Sequence, residues 1–387
     1  MKKWIIPFLL VGLCLVMAAC NFGTAPGSDP NETTPTGESI STEPEVGQVR
    51  ILNKDPQQQA AWDALAAEYA AQTGVEVAVL NSADGTQPTL LTVSGQEELP
   101  ENCADLSGSA AYAQLASWDL ALRDNAGAVC GIAAEVEVFG LVFNSTLLAQ
   151  TSHTQADIDS FVDLTEVVYA ISEKKDKYGF SAFARFDPND HFAIQLASLT
   201  GDTRNLLDLI INNTTGDPLE IASFTETDAL QDFLDEKAVF FLAGSKEQET
   251  LNAIGSENMG VLPVYMGGEN EERQSLCAAA CSYWCIPGSV EGADLQATLD
   301  FLDFLVQPRE NGTVPVDDLG RMAPYRQASS ASNLLESVFR SDLTMGKEPV
   351  ICRNISQVPE GLAQALIDYA ANPSNENWET IATIVEQ

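Results

Sequence analysis

The sequence lacks the residue spacings by which several common catalytic and phosphate-binding sites are recognised. It contains no G-x-S-x-G nucleophile elbow, no H-E-x-x-H zinc motif and no phosphate-cradling P-loop. Hydrolysis of a polysaccharide needs only two suitably spaced carboxylates. The chain has 56 acidic residues, so the presence of such pairs predicts nothing. The absence of these motifs favours a binding protein over an enzyme. A binding site is expected where the predicted strands and helices position polar and aromatic side chains.

The N-terminus has the pattern of an export signal. Lys2 and Lys3 precede an apolar run from Trp4 to Met17 that is too short for a stable membrane-spanning helix. The run ends in Met17-Ala18-Ala19-Cys20, which resembles a bacterial lipobox, where cleavage precedes a cysteine that carries a diacylglycerol. We predict a lipoprotein signal peptide over residues 1–19 and lipid attachment at Cys20. The alternative is an ordinary secretory signal in which Cys20 is incidental.

Residues 20–47 are predicted to form a flexible tether. They are dominated by Thr, Pro, Gly, Ser and Glu and have too few large apolar side chains to bury a core. The formal net charge is -37, from 19 basic and 56 acidic residues. A surface that acidic repels phosphate backbones, which excludes nucleic acid as a partner but leaves a cationic ligand open. The pattern predicts an extracytoplasmic body that is lipid-anchored to the bacterial cell membrane.

The folded body opens with a strand, a helix and a second strand. Val49–Asn53 is a short apolar strand, after which Asp55 caps a helix with Gln58 in the capping-box position. The predicted buried face of this helix comprises Trp62, Leu65, Ala66 and Tyr69. Gly74 ends the helix and Val75–Leu80 forms the next strand, so the unit predicts a parallel sheet. Ligands at such sheets lie beyond the carboxyl ends of the strands, where Asn53 falls.

The remaining pattern alternates helices with strands. Further strands are predicted over Glu135–Asn144, Ala238–Ala243 and Gly260–Tyr265. Helices are predicted over Asp157–Ser172, Leu295–Leu305, Leu362–Ala371 and Asn375–Val385. In the strand that begins at Glu135, one face carries Glu135, Glu137, Phe139, Leu141 and Phe143, and the other carries Val136, Val138 and Val142. The alternation predicts an α/β fold.

Four segments resemble the family 1 extracellular solute-binding proteins, the sugar-binding components of ABC importers. They are ILNKDPQQQAAWDALAAEYAAQTGVEVAV, AEVEVFGLVFNSTLL, MGVLPVYMGGENEERQSLCAAACSYWCIPGSVEGADLQATLDFLDFLV and LGRMAPYR, and they stand in the family's order. The resemblance implies a two-lobed, type II periplasmic-binding fold that closes on its ligand by a hinge motion. It implies an N-terminal lobe of residues 48–137 and 260–308 and a C-terminal lobe of residues 138–259 and 309–387.

The candidate ligand contacts follow from this resemblance and from the strand ends. They are Asn53, Ser107, Ser109, Glu137, Phe139, His191, Lys246, Trp284 and Arg353. Sugars are bound by aromatic faces and by polar side chains that take their hydroxyls. Trp284 is therefore the candidate stacking platform, with a core position as the alternative, and His191 is a ligand contact or a capping residue. Lys246 and Arg353 stand where the family often has aromatic residues, which also favours an anionic or strongly polar ligand.

The other candidates also have alternatives. The alternative for Asn53 is that it only shapes the turn. Ser107 and Ser109 lie in a loop that either offers backbone N–H groups and hydroxyls to a ligand or is only a turn. Glu137 either accepts hydrogen bonds from a ligand or pairs with a basic neighbour. Phe139 either contacts the ligand or belongs to the core.

Six of the eight cysteines lie in the predicted body. An exported chain permits disulfides, and many pairings are open. Cys103 and Cys130 are an attractive pair because they flank one loop region. Cys277, Cys281 and Cys285 are spaced by four, which would suit a metal on a helix, but the segment has the pattern of loop and strand and no histidine is close. No metal and no other cofactor is predicted.

The sequence thus predicts a lipid-anchored monomer that is not an enzyme and that captures a carbohydrate by lobe closure. Its partners would be the small-molecule ligand and the permease subunits of an ABC importer. Two alternatives remain open at this point. One is an anchored enzyme that acts on polysaccharide, and the other is a surface adhesion or interaction lipoprotein that has lost transport.

Overall fold

The computed structural model describes residues 46–82, 85–199, 203–245, 247, 251–267, 275–329 and 331–386. The predicted signal peptide, nearly all of the predicted tether, the lipid site at Cys20 and the candidate contact Lys246 lie outside these residues. Within the described ranges, no helix is both long enough and apolar enough to cross a bilayer.

The secondary structure alternates between helices and strands, which confirms the predicted α/β class. The strands are β1 (Val49–Leu52), β2 (Val77–Leu80), β3 (Leu90–Val93), β4 (Ala121–Arg123), β5 (Val129–Asn144), β6 (Ser181–Phe183), β7 (Ala238–Gly244), β8 (Met259–Leu262), β9 (Cys277–Cys285) and β10 (Val350–Ile351). The α-helices are α1 (Gln59–Thr73), α2 (Ala110–Ala113), α3 (Ser145–Gln150), α4 (Phe161–Ser172), α5 (Lys175–Tyr178), α6 (His191–Ala197), α7 (Thr203–Asn212), α8 (Glu226–Leu234), α9 (Gly292–Val306), α10 (Leu334–Thr344), α11 (Leu362–Ala371) and α12 (Asn375–Val385).

The first βαβ unit is confirmed, with one correction. β1 and β2 are parallel, and the four predicted apolar residues of α1 are buried. Asp55 caps a short 3-10 helix by accepting a hydrogen bond from the Gln57 amide. The capping-box prediction for Gln58 is wrong, because its amide Nε2 instead donates to the Leu319 carbonyl at 3.0 Å. The side chain ties the start of the helix to a segment that is remote in sequence.

Several predicted boundaries shift. β5 begins at Val129, well before the predicted start at Glu135. The helix predicted from Asp157 begins at Phe161, because Ser160 caps it after a separate 3-10 turn. The strand predicted over Gly260–Tyr265 is β8, which ends at Leu262.

The long strand β5 lies at the centre of one mixed sheet. Neighbouring strands follow the order β2-β1-β3-β9-β5-β7-β6. Apolar side chains on its two faces enter two different hydrophobic cores, as the alternation predicts. Val136, Val138 and Val142 belong to the first core, and Phe139, Leu141 and Phe143 belong to the second. The strand therefore crosses the molecule between the two cores and can carry polar side chains to the region between them.

Each core is closed by its own helices. α1 and α9 cover the first core through Trp62 and Phe301, while α4 and α11 cover the second through Leu164 and Leu366. The apolar side chains of α9 are buried to different degrees. Leu302 and Leu305 are fully buried, but Leu295 and Leu299 pack at the margin of the first core. The predicted lobe boundaries stay a prediction.

Candidate functional site

A cavity of about 150 Å³ lies beside the carboxyl end of β1. It lies at the position where parallel strands present ligand-binding groups. The lining residues that matter for its chemistry are Asn53, Asp55, Trp62, Trp284 and Arg321. We call this group the aromatic cavity.

Asn53 shapes the mouth of the aromatic cavity. Its Oδ1 accepts a hydrogen bond from the Asp55 amide at 3.1 Å, and its Nδ2 donates to Gln59 Oε1 at 3.1 Å. The side chain is buried. Asn53 therefore forms the turn and borders the cavity at the same time.

Arg321 brings two carboxylates together at the cavity. Its Nη2 lies 2.6 Å from Asp55 Oδ2 and its Nη1 lies 2.9 Å from Glu135 Oε2. The pKa of Asp55 is held below its usual value, first by the hydrogen bond from the Gln57 amide and then by Arg321. Gly320 (φ 67°) has the left-handed conformation that glycine adopts without strain, and it ends a short 3-10 helix directly before Arg321. The guanidinium is thus fixed in a planar, multidentate geometry that suits polar ligands.

Aromatic rings form the apolar wall of the cavity. Trp284 on β9 meets Trp62 edge to face, with ring centroids 6.1 Å apart, and stacks on Tyr325 at 6.1 Å. The Tyr325 hydroxyl donates to the Ala133 carbonyl at 2.7 Å, which fixes the stack to β5. Trp284 is only 1% exposed. It is therefore both a core residue and part of the cavity wall.

A second polar group, which we call the carboxylate cluster, consists of Glu137, Asp190, His191 and Glu247. His191 is the first residue of α6, and its Nε2 lies 3.5 Å from Glu137 Oε2 while its Nδ1 lies 3.3 Å from Asp190 Oδ1. Burial alone would lower the pKa of His191, but the hydrogen bonds to Asp190 and Glu137 outweigh it and raise this pKa to about 10. The imidazole is therefore a cation at neutral pH.

Glu247 adds a third carboxyl group to this cluster. Its Oε2 accepts a hydrogen bond from the Gly244 amide at 2.5 Å. Burial, followed by the negative charges of Asp190 and Glu137, raises the pKa of Glu247 to about 7 although that hydrogen bond opposes the shift. Its charge therefore changes close to neutral pH.

β5 joins the aromatic cavity to the carboxylate cluster. Glu135 contacts Arg321 of the cavity, and Glu137, two residues on, contacts His191 of the cluster. The pairing of β5 with β9 is irregular on both sides of Glu135. Bulges of this kind change the direction of side chains and are frequent beside functional sites. β5 thus contributes one carboxylate to each polar group.

The other candidate residues have clear structural positions. Ser109 caps α2 by accepting from the Tyr112 amide, and exposed Ser107 bonds Asp105. Phe139 is fully buried and packs on Phe192 with ring centroids 4.7 Å apart. The Arg353 guanidinium donates to the Val385 carbonyl at 3.1 Å and so secures the end of α12. Ligand contact by any of the candidates stays a prediction.

The sequence pattern did not single out several residues of the site. In the sequence pattern Arg321 is a loop residue, Asp55 is a helix cap and Trp62 is a core residue. Only the fold brings all three to one cavity. The segment LGRMAPYR, which contains Arg321, was the available signal. Among the described residues, no group of three or more His, Cys, Asp or Glu side chains has the arrangement of a metal site.

Comparison with known proteins assigns the fold. Residues 48–334 match the family model of the bacterial extracellular solute-binding proteins. A family 1 extracellular solute-binding protein from Bifidobacterium longum subsp. infantis superposes with a TM-score of 0.64 at 12% identity, over 88% of this chain and 98% of that one. No curated protein sequence matches the chain.

Two further solved structures have the same fold. Apo RafE from Streptococcus pneumoniae gives a TM-score of 0.63 at 10% identity, over 88% of this chain and 97% of that one. An extracellular solute-binding protein from Staphylococcus aureus, solved with maltose, gives a TM-score of 0.63 at 12% identity. The superposition covers 89% of this chain and 98% of that one. The chain thus has the two-lobed α/β fold of the periplasmic-binding type.

The chain belongs to the family of bacterial extracellular solute-binding proteins, because the family model matches most of its length. This confirms the resemblance found in the sequence. Membership also implies an extracytoplasmic location and the capture of a solute.

Proposed function

We propose that this protein captures a carbohydrate in the aromatic cavity and delivers it to an ABC importer while a lipid on Cys20 holds it at the membrane. The observation that carries the proposal is the combination of an aromatic wall, Trp62 and Trp284, with a fixed guanidinium, Arg321, in one cavity. Aromatic surface covers the C–H face of a sugar, and the polar groups orient its hydroxyls.

The solved neighbours support the choice of ligand class. The Staphylococcus aureus protein binds maltose, and RafE has been solved with raffinose. Glu137 lies on β5 two residues after Glu135, the partner of Arg321, and pairs with His191, so lobe closure could bring further polar groups to a ligand longer than a single sugar ring. Closure of the two lobes would then remove the ligand from water and strengthen each polar contact.

Calorimetric titration of the purified protein with maltose, raffinose, stachyose and galactose tests this proposal. We expect one of these sugars to bind, and Arg321→Ala to weaken that binding about 10- to 100-fold, the value of a hydrogen bond to a charged group. The matched control is Arg309→Ala. Arg309 also bridges two carboxylates, Glu68 and Asp318, each at 2.6 Å, but outside the cavity. Equal losses in both variants, or no binding of any sugar, would contradict the proposal.

Anchoring is tested separately through Cys20. The lipobox and tether pattern support lipid attachment at this residue. We expect the wild-type chain to incorporate labelled palmitate and to fractionate with membranes. Cys20→Ala should lose both properties, whereas Cys14→Ala, which alters the signal peptide but not the lipid site, should keep them. Membrane fractionation of the Cys20→Ala protein without label would show that another feature holds it there.

A further inference from the structure

The six body cysteines are thiols in this structure, and four of them lie as two neighbouring pairs. The pairs are Cys103 with Cys130 and Cys277 with Cys352. In each pair one thiol is near enough to the other to contribute to raising its pKa. Their positions follow from the sheet.

The first pair is brought together at the start of β5. The segment that contains Cys103 runs against the end of β9, since Cys103 forms an antiparallel bridge with Pro287. The same segment runs on to β5, where the Leu106 amide donates to the Val129 carbonyl at 2.9 Å. Cys130 is the next residue of β5. These backbone contacts therefore hold the segment of Cys103 beside the start of β5, where Cys130 lies.

The second pair lies in the second core. β10 pairs in parallel with the start of β9, with Val350 opposite Cys277, and the Cys352 amide donates to the Ala278 carbonyl at 2.9 Å. Cys277 is fully buried and Cys352 is 2% exposed. The two side chains thus meet in a protected position between adjacent strands.

We propose that the exported protein carries two disulfide bonds, Cys103–Cys130 and Cys277–Cys352, with Cys281 and Cys285 left as thiols. Each bond forms when two thiols lose two protons and two electrons to the disulfide of an extracytoplasmic thiol–disulfide oxidoreductase, which becomes a dithiol. The proposal rests on the extracytoplasmic location implied by the family and does not depend on which solute is bound.

Burial indicates when these bonds form. It is the main cause that raises the pKa of Cys103 to about 12 and the pKa of Cys277 well above its usual value. Since the thiolate is the reactive species, exchange is slow in the folded protein. We infer that oxidation takes place during folding after export, while the thiols are accessible.

The two bonds would tie peripheral segments to the central sheet. Cys103 follows the segment that holds Glu98, whose carboxylate lies 3.6 Å from the Lys54 ammonium at the aromatic cavity. Cys352 precedes α11 and α12, so the second bond would fasten the C-terminal helices to β9. Both bonds close long loops, which is the case in which a cross-link most restricts the unfolded chain.

Peptide mapping without reductant tests the proposal on protein exported by its host or by a related bacterium. Free thiols are alkylated in denaturant before digestion. Trypsin separates Cys103 from Cys130 at Arg123 and releases Cys352 in the peptide Glu348–Arg353. Chymotrypsin cleavage at Tyr283 and Trp284 then separates Cys285 from Cys277 and Cys281, and fragment-ion spectra assign the linked cysteine.

We expect linked peptides for both proposed pairs and alkylation of Cys281 and Cys285. Cys285 is the critical competitor, because the charges of Cys103 and Cys130 contribute, after burial, to raising its pKa to about 12. A link between Cys285 and either of these residues overturns the first bond. Full alkylation of Cys277 and Cys352 overturns the second.

Thermal unfolding gives an independent readout. We expect a strong reductant present during unfolding to lower the Tm of the wild-type protein by roughly 3–8 °C for each bond. The double variant Cys277→Ser/Cys352→Ser removes the second bond, so its response to reductant reports the Cys103–Cys130 bond alone. Cys281→Ser is the control and should respond to reductant like the wild type. A Tm that reductant leaves unchanged in the wild type would overturn the proposal.

Discussion

The aromatic cavity and the carboxylate cluster differ in how their charges are balanced. In the cavity, Arg321 is paired with two carboxylates, and aromatic rings form the remaining wall. In the cluster, the imidazolium of His191 faces Glu137 and Asp190, and Glu247 adds a further carboxylate. The cavity is therefore a surface of fixed charge and shape, whereas the charge of the cluster changes near neutral pH. One strand, β5, therefore supplies a glutamate to each of two polar groups of different chemistry.

The largest effect is expected at the aromatic wall. Trp284→Ala should lower the free energy of unfolding by about 3–5 kcal/mol, because it empties a position that is 1% exposed. Denaturant unfolding measures the loss. The control is Trp118→Ala, since Trp118 is 66% exposed and its removal should change the stability by less than about 0.5 kcal/mol. Similar losses in the two variants would show that the cavity wall is not packed as described.

The next largest effect is expected at His191. His191→Gln should destabilise the protein by about 1.5–3 kcal/mol at pH 6, where it removes a charged hydrogen-bonding partner of Glu137 and Asp190. The pKa of His191 is raised by folding from 6.5 to about 10. Its stabilisation is therefore complete below pH 6.5 and is lost as the pH rises through 10. Unfolding curves of both proteins between pH 6 and pH 10 should converge, and a constant difference would contradict the assignment.

Substitution of Glu247 should change the stability in the opposite direction, although stability again falls as the pH rises. Its pKa is raised from 4.5 to about 7, so the unfolded chain loses this proton first and the stability falls as the pH rises from 4.5 to 7. Glu247→Gln should therefore stabilise the protein by about 1–3 kcal/mol at pH 8 and have little effect at pH 4.5. Thermal unfolding at the two pH values measures this. Destabilisation at pH 8 would show that the charge of Glu247 is needed in the folded state.

The smallest but sharpest comparison uses two glutamates of β5. Glu137→Gln should lower the pKa of His191, because it removes one of the two carboxylates that raise it. Glu135→Gln should leave that pKa unchanged and cost less than about 1 kcal/mol, since Arg321 keeps Asp55 as a partner. An NMR titration of the His191 ring in both variants measures the shift. Equal shifts would mean that the two polar groups behave as one site.

Much of the fold could be predicted from local pattern. The alternation in β5 assigns its valines and phenylalanines to opposite cores because a strand directs successive side chains to opposite faces. The boundaries of α11 and α12 follow from a helical pattern that Pro373 interrupts. The start of α4 was missed because Ser160 supplies a cap three residues after the end of a 3-10 turn.

The candidate site was less predictable. The candidate Trp284 lines the cavity, and an aromatic residue near a family motif is a visible signal in the sequence. Arg321 gave no such signal, because its role depends on carboxylates from two distant elements, Asp55 and Glu135. Glu247 follows the candidate Lys246, yet the feature that makes it unusual is burial beside other carboxylates. Burial is a property of the folded chain.

The sequence by itself determined the α/β class, the family and the two faces of β5, because each depends on residue order and on the period of a helix or strand. Only the tertiary structure decided which polar residues meet. Arg321 reaches Asp55, and Cys277 reaches Cys352, across long stretches of chain. Contacts of this kind depend on how elements pack, since side chains that are distant in sequence become neighbours only when the sheet and its helices bury their apolar faces together.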